Sequence, residues 1–378
     1  MNIDGNLHLP ALPPIRSPEQ LATEAEAAVR DILAEAASAN TTRSYASALR
    51  YCAAWYQGRY GQPFALPLPE AVVIQFIVDH LARRGESALT WELPAVLDGA
   101  LVEAGLKQRL GPFKLATISH RLAVLSKAHQ WRRVTNPCEQ PAVRHLLARA
   151  RRAAVKRGER PAKKTAITQP ELVALLGTCD GSLAGLRDRA LLLFAFSSGG
   201  RRRSEVAAAD LSDLRRVGER TFVYHLGHSK TQQAGPSATS TPDKPILGPA
   251  ADALAAWLTA VQLTEGPIFR RLWRHRVGGG LSPASVAAIV QRRAAMAGLE
   301  GDFGGHSLRS GFVTEGGRQG IALPALMAMT EHRAVGSVIG YFQAGGVTEN
   351  PAARLLDDGL LNAQSEPPAS AVPDNDLP

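Results

Sequence analysis

The chain has 378 residues, 45% of them hydrophobic and 20% charged, with a formal net charge of +9. That is enough for two or three domains with cores of their own, too apolar for a disordered protein, and basic enough to point to a polyanionic partner. No apolar run reaches membrane-spanning length, the longest being Ala190 to Phe196, and the first residues lack the basic start and apolar stretch of a signal peptide.

In chain order, the Pro-rich residues 1–20 read as a loose segment. Residues 21–148 read as an all-α domain. Leu21 to Ala37 is rich in Ala, Glu and Leu, and Asn40, Thr41 and Thr42 offer caps for a second helix carrying Tyr45, Leu49, Trp55 and Tyr56. Helical patterns follow at Glu70 to Arg84 and Leu115 to Trp131, the latter ended by Asn136-Pro137. Ser87 to Pro112 lies between them as a connection or partly helical insert. No strand signal precedes residue 160. Residues 149–165 read as a basic interdomain linker: between 144 and 164 stand nine Lys or Arg and one acid, Glu159, a charge of +8 in 21 residues. A solvated face is one reading; contact with phosphates, which releases counterions, is the stronger.

Composition then changes, and 166–350 reads as a second, mixed domain. Thr168-Gln169-Pro170-Glu171 is a capping box. Leu183 to Ser197 is a strongly apolar helix stopped by Gly199-Gly200. Thr221 to Gly227 is the best strand candidate, and Lys244 to Leu247 reads as a returning strand. Helices are expected at Pro249 to Leu263, Pro283 to Ala297, Ser307 to Gln319 and Pro324 to Glu331, with a short one carrying Tyr341. Residues 351–378 hold an amphipathic stretch, Ala352 to Leu361, and an acidic, Pro-containing tail that reads as disordered.

The chemistry lies in one ordered set. Arg201-Arg202-Arg203-Ser204-Glu205 comes first; about a hundred residues later stand His306-Ser307-Leu308-Arg309, then His332, then Tyr341 nine residues after it. Two arginines, two histidines and a late tyrosine suit attack on a phosphodiester. The phenol is the nucleophile and the cations hold the charge that builds on phosphorus. Arg fits that second task because its fork binds two phosphate oxygens and keeps its charge. His306 and Arg309, at i and i+3, share a helical face, and Gly304-Gly305 lets a backbone approach closely. Each element alone is ordinary: a chance HxxR, a core tyrosine, a solvated arginine run, a surface lysine. The order of the set on a basic chain is what is specific.

The set resembles the tyrosine recombinase (phage integrase) family, over roughly residues 40 to 350. The resemblance matches Arg202 to the family's first arginine, with Glu205 three residues on as its acidic companion. It matches Lys230, in Ser229-Lys230-Thr231, to the hairpin lysine, with Lys244 in the same hairpin as the alternative. His306 and Arg309 match the HxxR, His332 the next position and Tyr341 the nucleophile. It implies a mainly α fold with a small β-sheet: an all-α core-binding domain and a mixed, mostly helical catalytic domain forming a C-shaped clamp on DNA. It further implies cleavage through a 3′-phosphotyrosine and strand exchange through a Holliday junction. Arg202 and Arg309 would stabilise the transition state, His306 would assist proton movement, His332 would bond the phosphate and Lys230 would protonate the leaving oxygen. No metal or cofactor is needed, because bond energy is kept in the phosphotyrosine. The partners implied are a double-stranded recombination site, a homo-tetramer on DNA and an accessory DNA-bending or directionality protein.

Contacts to DNA are expected from Arg43, Arg144, Arg149, Arg151, Arg152, Lys156, Arg157, Arg160, Lys163, Lys164, Arg201 and Arg203. The chain departs from the family at Glu331, where Gly is usual before the second histidine. A carboxylate there either sits near the phosphate and weakens binding or pairs with Arg333. Arg270, Arg271, Arg274 and Arg276 form a second basic cluster, equally readable as DNA contact or solvated surface. His225 and His228, three apart on a strand, point to opposite faces and make no metal pair. Gly278-Gly279-Gly280 lacks the Lys of a phosphate loop and reads as a flexible turn. Trp55, Trp131 and Trp257 are expected in cores. Cys52, Cys138 and Cys179 are far apart, which suits a reducing compartment without disulfides; a cytoplasmic, nucleoid-associated protein is expected. The rival readings are a relaxing enzyme of the type IB topoisomerase kind, using the same chemistry without partner exchange, and a DNA-binding protein with no needed activity.

Overall fold

A computed structural model of the chain describes residues 39–86, 88–159, 164–227, 241–273, 276–332, 334–336 and 338. The chain divides into two compact units at Pro161/Ala162, inside the stretch expected as a linker. The expected helices at 21–37 and around Tyr341, the segment 352–361 and the acidic tail lie outside the described residues.

The first unit is built from α1 (Ala39–Tyr60), α2 (Glu70–His80), α3 (Ala95–Glu103), α4 (Leu115–Trp131) and α5 (Pro141–Lys156). Asn40 to Thr42 lie inside α1 rather than capping it. Among the described residues a two-residue antiparallel pair, β1 (Arg83–Arg84) with β2 (Leu89–Thr90), stands beside these helices, where no strand was expected, because two residues carry no periodic signal. Tyr51, Trp55, Val73, Phe76, Ile77, Ile118, Leu122 and Val143 form the core. Its polar groups are tied off. The Trp55 indole donates to Asp79 at 2.9 Å. His80 donates from Nδ1 to the Phe76 carbonyl at 2.6 Å, which leaves Nε2 to accept from the Tyr51 hydroxyl at 2.6 Å. Burial drives the His80 pKa down to about 3, so this neutral tautomer is the stable form. Trp131 is not in the core: at the last turn of α4 it is 59% exposed, its ring tilted over Tyr45. Residues 149–156, expected as linker, are the last turns of α5, which buries Val143, Ala150 and Ala154 and leaves its basic side chains outward.

The second unit starts with α6 (Gln169–Gly177), whose capping box forms as expected between Thr168 and Glu171. Then comes α7 (Leu183–Ser197), which buries Ala190, Leu191, Leu192, Phe194 and Ala195. The five-residue α8 (Arg203–Ala207) follows, then a three-stranded antiparallel sheet in the order β3 (Leu214–Gly218), β4 (Thr221–His225), β5 (Asp243–Leu247). In its register Phe222 faces Ile246 and Tyr224 faces Lys244, and all four are buried, so one face packs on α7 and α9 (Pro249–Ala260). β3 was not expected, since Leu214-Arg215-Arg216-Val217-Gly218 does not alternate cleanly. The triple glycine expected as a turn is the end of a strand, β7 (Arg276–Gly280), paired with β6 (Arg270–Trp273). A backbone ladder needs no side chains, so glycines inside it leave little trace in a pattern. Arg270, Arg271 and Arg276 of the second basic cluster therefore lie on paired strands, with Arg270 bonded to the Pro267 carbonyl at 3.1 Å, and Arg274 lies outside the described residues.

The unit closes with α10 (Pro283–Met296), α11 (Ser307–Arg318) and α12 (Leu323–Thr330). Asp188, fully buried on α7, accepts from Arg187 at 2.7 Å, Arg292 at 2.7 Å and Arg293 at 2.8 Å, and so clasps α10 to α7. The entering strand of chain is paired too: Thr165 N–H bonds the Asp302 carbonyl and Ile167 N–H the Ser307 carbonyl, both at 3.0 Å. Gly311 lies against the Ile167 backbone with no room for a Cβ. No helix among the described residues is long and apolar enough to cross a membrane.

Candidate active site

The site is built where α7 ends. Ser198 closes the helix, and Gly199 and Gly200 turn the chain at φ of 99° and 66°, a region L side chains seldom adopt. Close approach demands glycine here as well. A Cβ on Gly199 would run into the Met329 carbonyl, and one on Gly200 into Cα of Arg309. The turn thus brings the start of α8, α11 and the end of α12 to one place.

Arg202 is the residue before α8. Glu205 accepts from its backbone N–H at 3.1 Å and from its Nη1 at 2.6 Å, holding the side chain in a fixed arc and leaving it 13% exposed. Burial alone would raise the Glu205 carboxyl, but Arg201 and Arg202 beside it hold it below the usual range. Arg309, on the first turn of α11, is buried. It donates from Nη1 to the Gly200 carbonyl at 3.3 Å and from Nη2 to the Thr330 carbonyl, and Nη2 lies 3.2 Å from Nε2 of His332. His332 is 9% exposed, and its Nδ1 is 2.7 Å from the Thr330 hydroxyl. That hydroxyl spends its proton on the Leu326 carbonyl at 2.7 Å, so Nδ1 donates to it and Nε2 carries the lone pair facing Arg309. Burial first, then Arg309, Arg202 and Arg201, lower the His332 pKa to about 4.

His306 stands exposed at the residue before α11, beside Gly304 and Gly305. Gly305 lies against the stem of the exposed Arg203, and Gly304 near that of Lys164, which bonds Asp302. Two bases therefore flank the His306 turn. Arg202, Glu205, Arg309 and His332 meet around the glycine turn, and the HxxR places His306 on the helix start beside them. Tyr341 and Lys230 lie outside the described residues, as do Arg160 and Lys163.

Three residues differ from expectation. Arg201, expected to touch DNA, is 1% exposed; its Nη2 donates to the Met329 carbonyl, its Nη1 lies 3.8 Å from Glu205, and it sits inside the unit. The carboxylate of Glu331 is buried and meets the ammonium of Lys244, with residue 331 itself left-handed at φ 57°; Arg333, the partner expected for it, lies outside the described residues. Lys244 is fully buried, with its Nζ also on the carbonyls of Thr241 and, at 2.8 Å, Ala328. Reading from sequence missed these roles because Lys and Arg are usually surface residues. The available signal was that Lys244 shares the inward register of β5 with Ile246.

Of the other expected DNA contacts, Arg43, Arg144, Arg149, Arg151, Arg152, Lys156 and Arg203 are exposed, while Arg157 is half-buried on Glu159 at 2.7 Å. His225 bonds Asp243 at 2.8 Å, and His228 lies outside the described residues. No cluster of metal-ligating side chains occurs among the described residues.

The model of the phage integrase family matches residues 165–345. The chain is 32% identical over 250 residues to an integrase/recombinase, a xerD homolog from Selenomonas ruminantium, covering 63% of this chain and 71% of that protein. It is 22% identical over 261 residues to the recombinase cre of Escherichia phage P1, covering 64% and 75%. Among solved structures it shares its fold with the Tn1549 transposon integrase in complex with transposon right end DNA, at a TM-score of 0.53 and 13% identity, covering 84% of this chain and 93% of that one.

Proposed function

Because this chain belongs to the phage integrase family of tyrosine recombinases, we propose that it is a site-specific recombinase that cuts and rejoins duplex DNA through Tyr341. The observation that carries the reading is the meeting of Arg202 and Arg309 with His332 around the Gly199-Gly200 turn. Two guanidiniums held by fixed acceptors, with a neutral imidazole against that of Arg309, form a preorganised seat for one phosphate. Such donors act mainly by not having to reorganise as charge builds.

The Tyr341 oxygen attacks phosphorus, the bond to the 5′ oxygen breaks, and a 3′-phosphotyrosine and a free 5′ hydroxyl result. The phenol proton leaves with the help of His306, and a proton reaches the leaving oxygen from Lys230. Full burial of Lys244 on three acceptors supports Lys230 for that task, since a proton donor must reach the leaving group. A 5′ hydroxyl from a partner duplex then attacks the phosphotyrosine and regenerates the tyrosine, so neither metal nor nucleotide enters the balance. The exposed bases of α5, together with Arg203 and Lys164, draw in the phosphate backbone. The fuller scheme is a tetramer on two duplexes, exchanging strands through a Holliday junction to move or resolve a mobile element, with a DNA-bending accessory protein setting direction. The first domain, 21–148, clamps DNA and the second, 166–350, cuts it.

Trapping tests the reading. Wild-type protein incubated with its site on nicked duplex forms a covalent adduct, and Tyr341→Phe binds the same DNA without one. An adduct that persists in Tyr341→Phe removes the tyrosine from its role. Rapid relaxation of supercoiled plasmid lacking the site would favour a relaxing enzyme over a recombinase.

A further inference from the structure

The last carbonyls of a helix have no partner within it, and commonly a left-handed glycine closes the end. At the end of α12 three successive carbonyls are taken instead by three buried cations from three different elements. Lys244 of β5 bonds the Ala328 carbonyl at 2.8 Å, Arg201 of the glycine turn bonds that of Met329, and Arg309 of α11 bonds that of Thr330. The next residue adopts the left-handed conformation, but it is Glu331, and its carboxylate returns to Lys244. We infer that Lys244, Arg201 and Glu331 are positioning residues: they dock the end of α12 against the glycine turn and thereby set where His332 meets Arg309. The inference rests on the recombinase reading for the reaction that this placement serves.

Each half of the Lys244–Glu331 pair accounts for an oddity in the other. Lys244 occupies an inward position of β5, level with Tyr224 and two residues from Ile246, where alternation calls for an apolar side chain. A lysine is tolerated at such a depth when a carboxylate and further acceptors surround it. Glu331 holds a backbone conformation that favours glycine, and its side chain is anchored by that same lysine. Lys244 is fully buried, so a direct role on phosphate is closed to it. What it can govern is the carbonyl ladder beside it. Nη2 of Arg309 is shared between the Thr330 carbonyl and His332, so any slip of residues 328–331 shifts both groups that face the phosphate.

The test uses the full-length chain and nicked duplexes carrying the sequence it selects from random DNA. Lys244→Met, Glu331→Gln and Glu331→Gly each slow adduct formation at saturating DNA by roughly 10- to 100-fold, the scale of a misplacement of about 1 Å, while DNA affinity stays at the wild-type level. Lys244→Met combined with Glu331→Gln is no slower than the slower single variant, because both remove one interaction. Glu331→Gly relieves the left-handed backbone but leaves Lys244 buried without its carboxylate, so the melting temperature and DNA affinity of each variant are read beside its rate. Isotope-labelled histidine in the protein without DNA gives a second readout. His332 stays neutral down to about pH 4 in wild type and titrates nearer 6.5 in the variants. Wild-type rates with wild-type titration overturn the proposal. So do additive losses that track a fall in melting temperature and DNA affinity, which mark a merely structural pair. If wild-type protein yields no adduct, the recombinase reading fails, and the His332 titration alone decides the positioning role.

Discussion

On α5, Arg144, Arg149, Arg151 and Arg152 stand exposed along a surface stripe; in the second unit Arg187, Arg201, Arg293 and Arg309 are buried with donors on named oxygens. The same side chain serves opposite ends. In the stripe its position matters within a few ångströms, because a screened charge near a duplex acts through number and proximity. In the interior its worth depends on the acceptor: a guanidinium without one is a buried charge, and with one it is a rigid strut. A motif with strict spacing belongs to the second kind, and a run of bases to the first.

The comparison can be broken most severely at Asp188. Asp188→Ala withdraws the carboxylate from three arginines at once, and the second unit is expected to lose about 3–5 kcal/mol, read by chemical denaturation. A loss under about 1 kcal/mol would mean that these buried arginines do not depend on their acceptor. Next is Arg202→Ala, expected to slow adduct formation about 10²–10³-fold with little change in DNA binding. Arg202→Lys should recover little of it, since an ammonium cannot span both Glu205 and a phosphate; full recovery would reduce the strut to a point charge.

A pH series sharpens the contrast further. His332 is kept neutral first by burial and then by arginines that a surface stripe would not press so close. Its folded pKa of about 4 lies below the ordinary 6.5, so the unfolded chain takes up a proton that the folded chain refuses. Stability is therefore complete above pH 6.5 and falls on acidification towards pH 4, by on the order of 3 kcal/mol. His80 extends the same loss in the first unit to about pH 3. A denaturation midpoint for the second unit that is flat from pH 7 to about pH 4 in wild type, or a slope unchanged in His332→Gln, would contradict this. The smallest effect is on α5. Arg151→Ala or Arg152→Ala should each lower the salt slope of DNA binding by about 1 and move stability by less than about 0.5 kcal/mol.

Much of the second unit was legible in the sequence, because its signals are local. Thr168 and Glu171 announced their capping box, and Gly199-Gly200 announced the end of α7. The family resemblance matched Arg202 with Glu205, and the helical pattern placed Arg309 in the first turn of α11. What escaped is long-range. Nothing near Lys244 in the chain says that Glu331, 87 residues on, will neutralise it. Arg201 differs from Arg202 and Arg203 only in where one turn of backbone aims it. Trp131 was misjudged because a helical pattern does not tell whether the last turn is covered. The glycines of β7 escaped because backbone pairing leaves no side-chain record.

The pairing of residues 164–168 alongside 302–311 has a mechanical consequence. Thr165 and Ile167 bond the carbonyls of Asp302 and Ser307, on either side of His306, and Gly311 lets the two backbones touch. Tension arriving along the chain from its amino-terminal side meets the Lys164–Asp302 pair and those two bonds first, so a pull is felt at the HxxR turn before it reaches the core around α7.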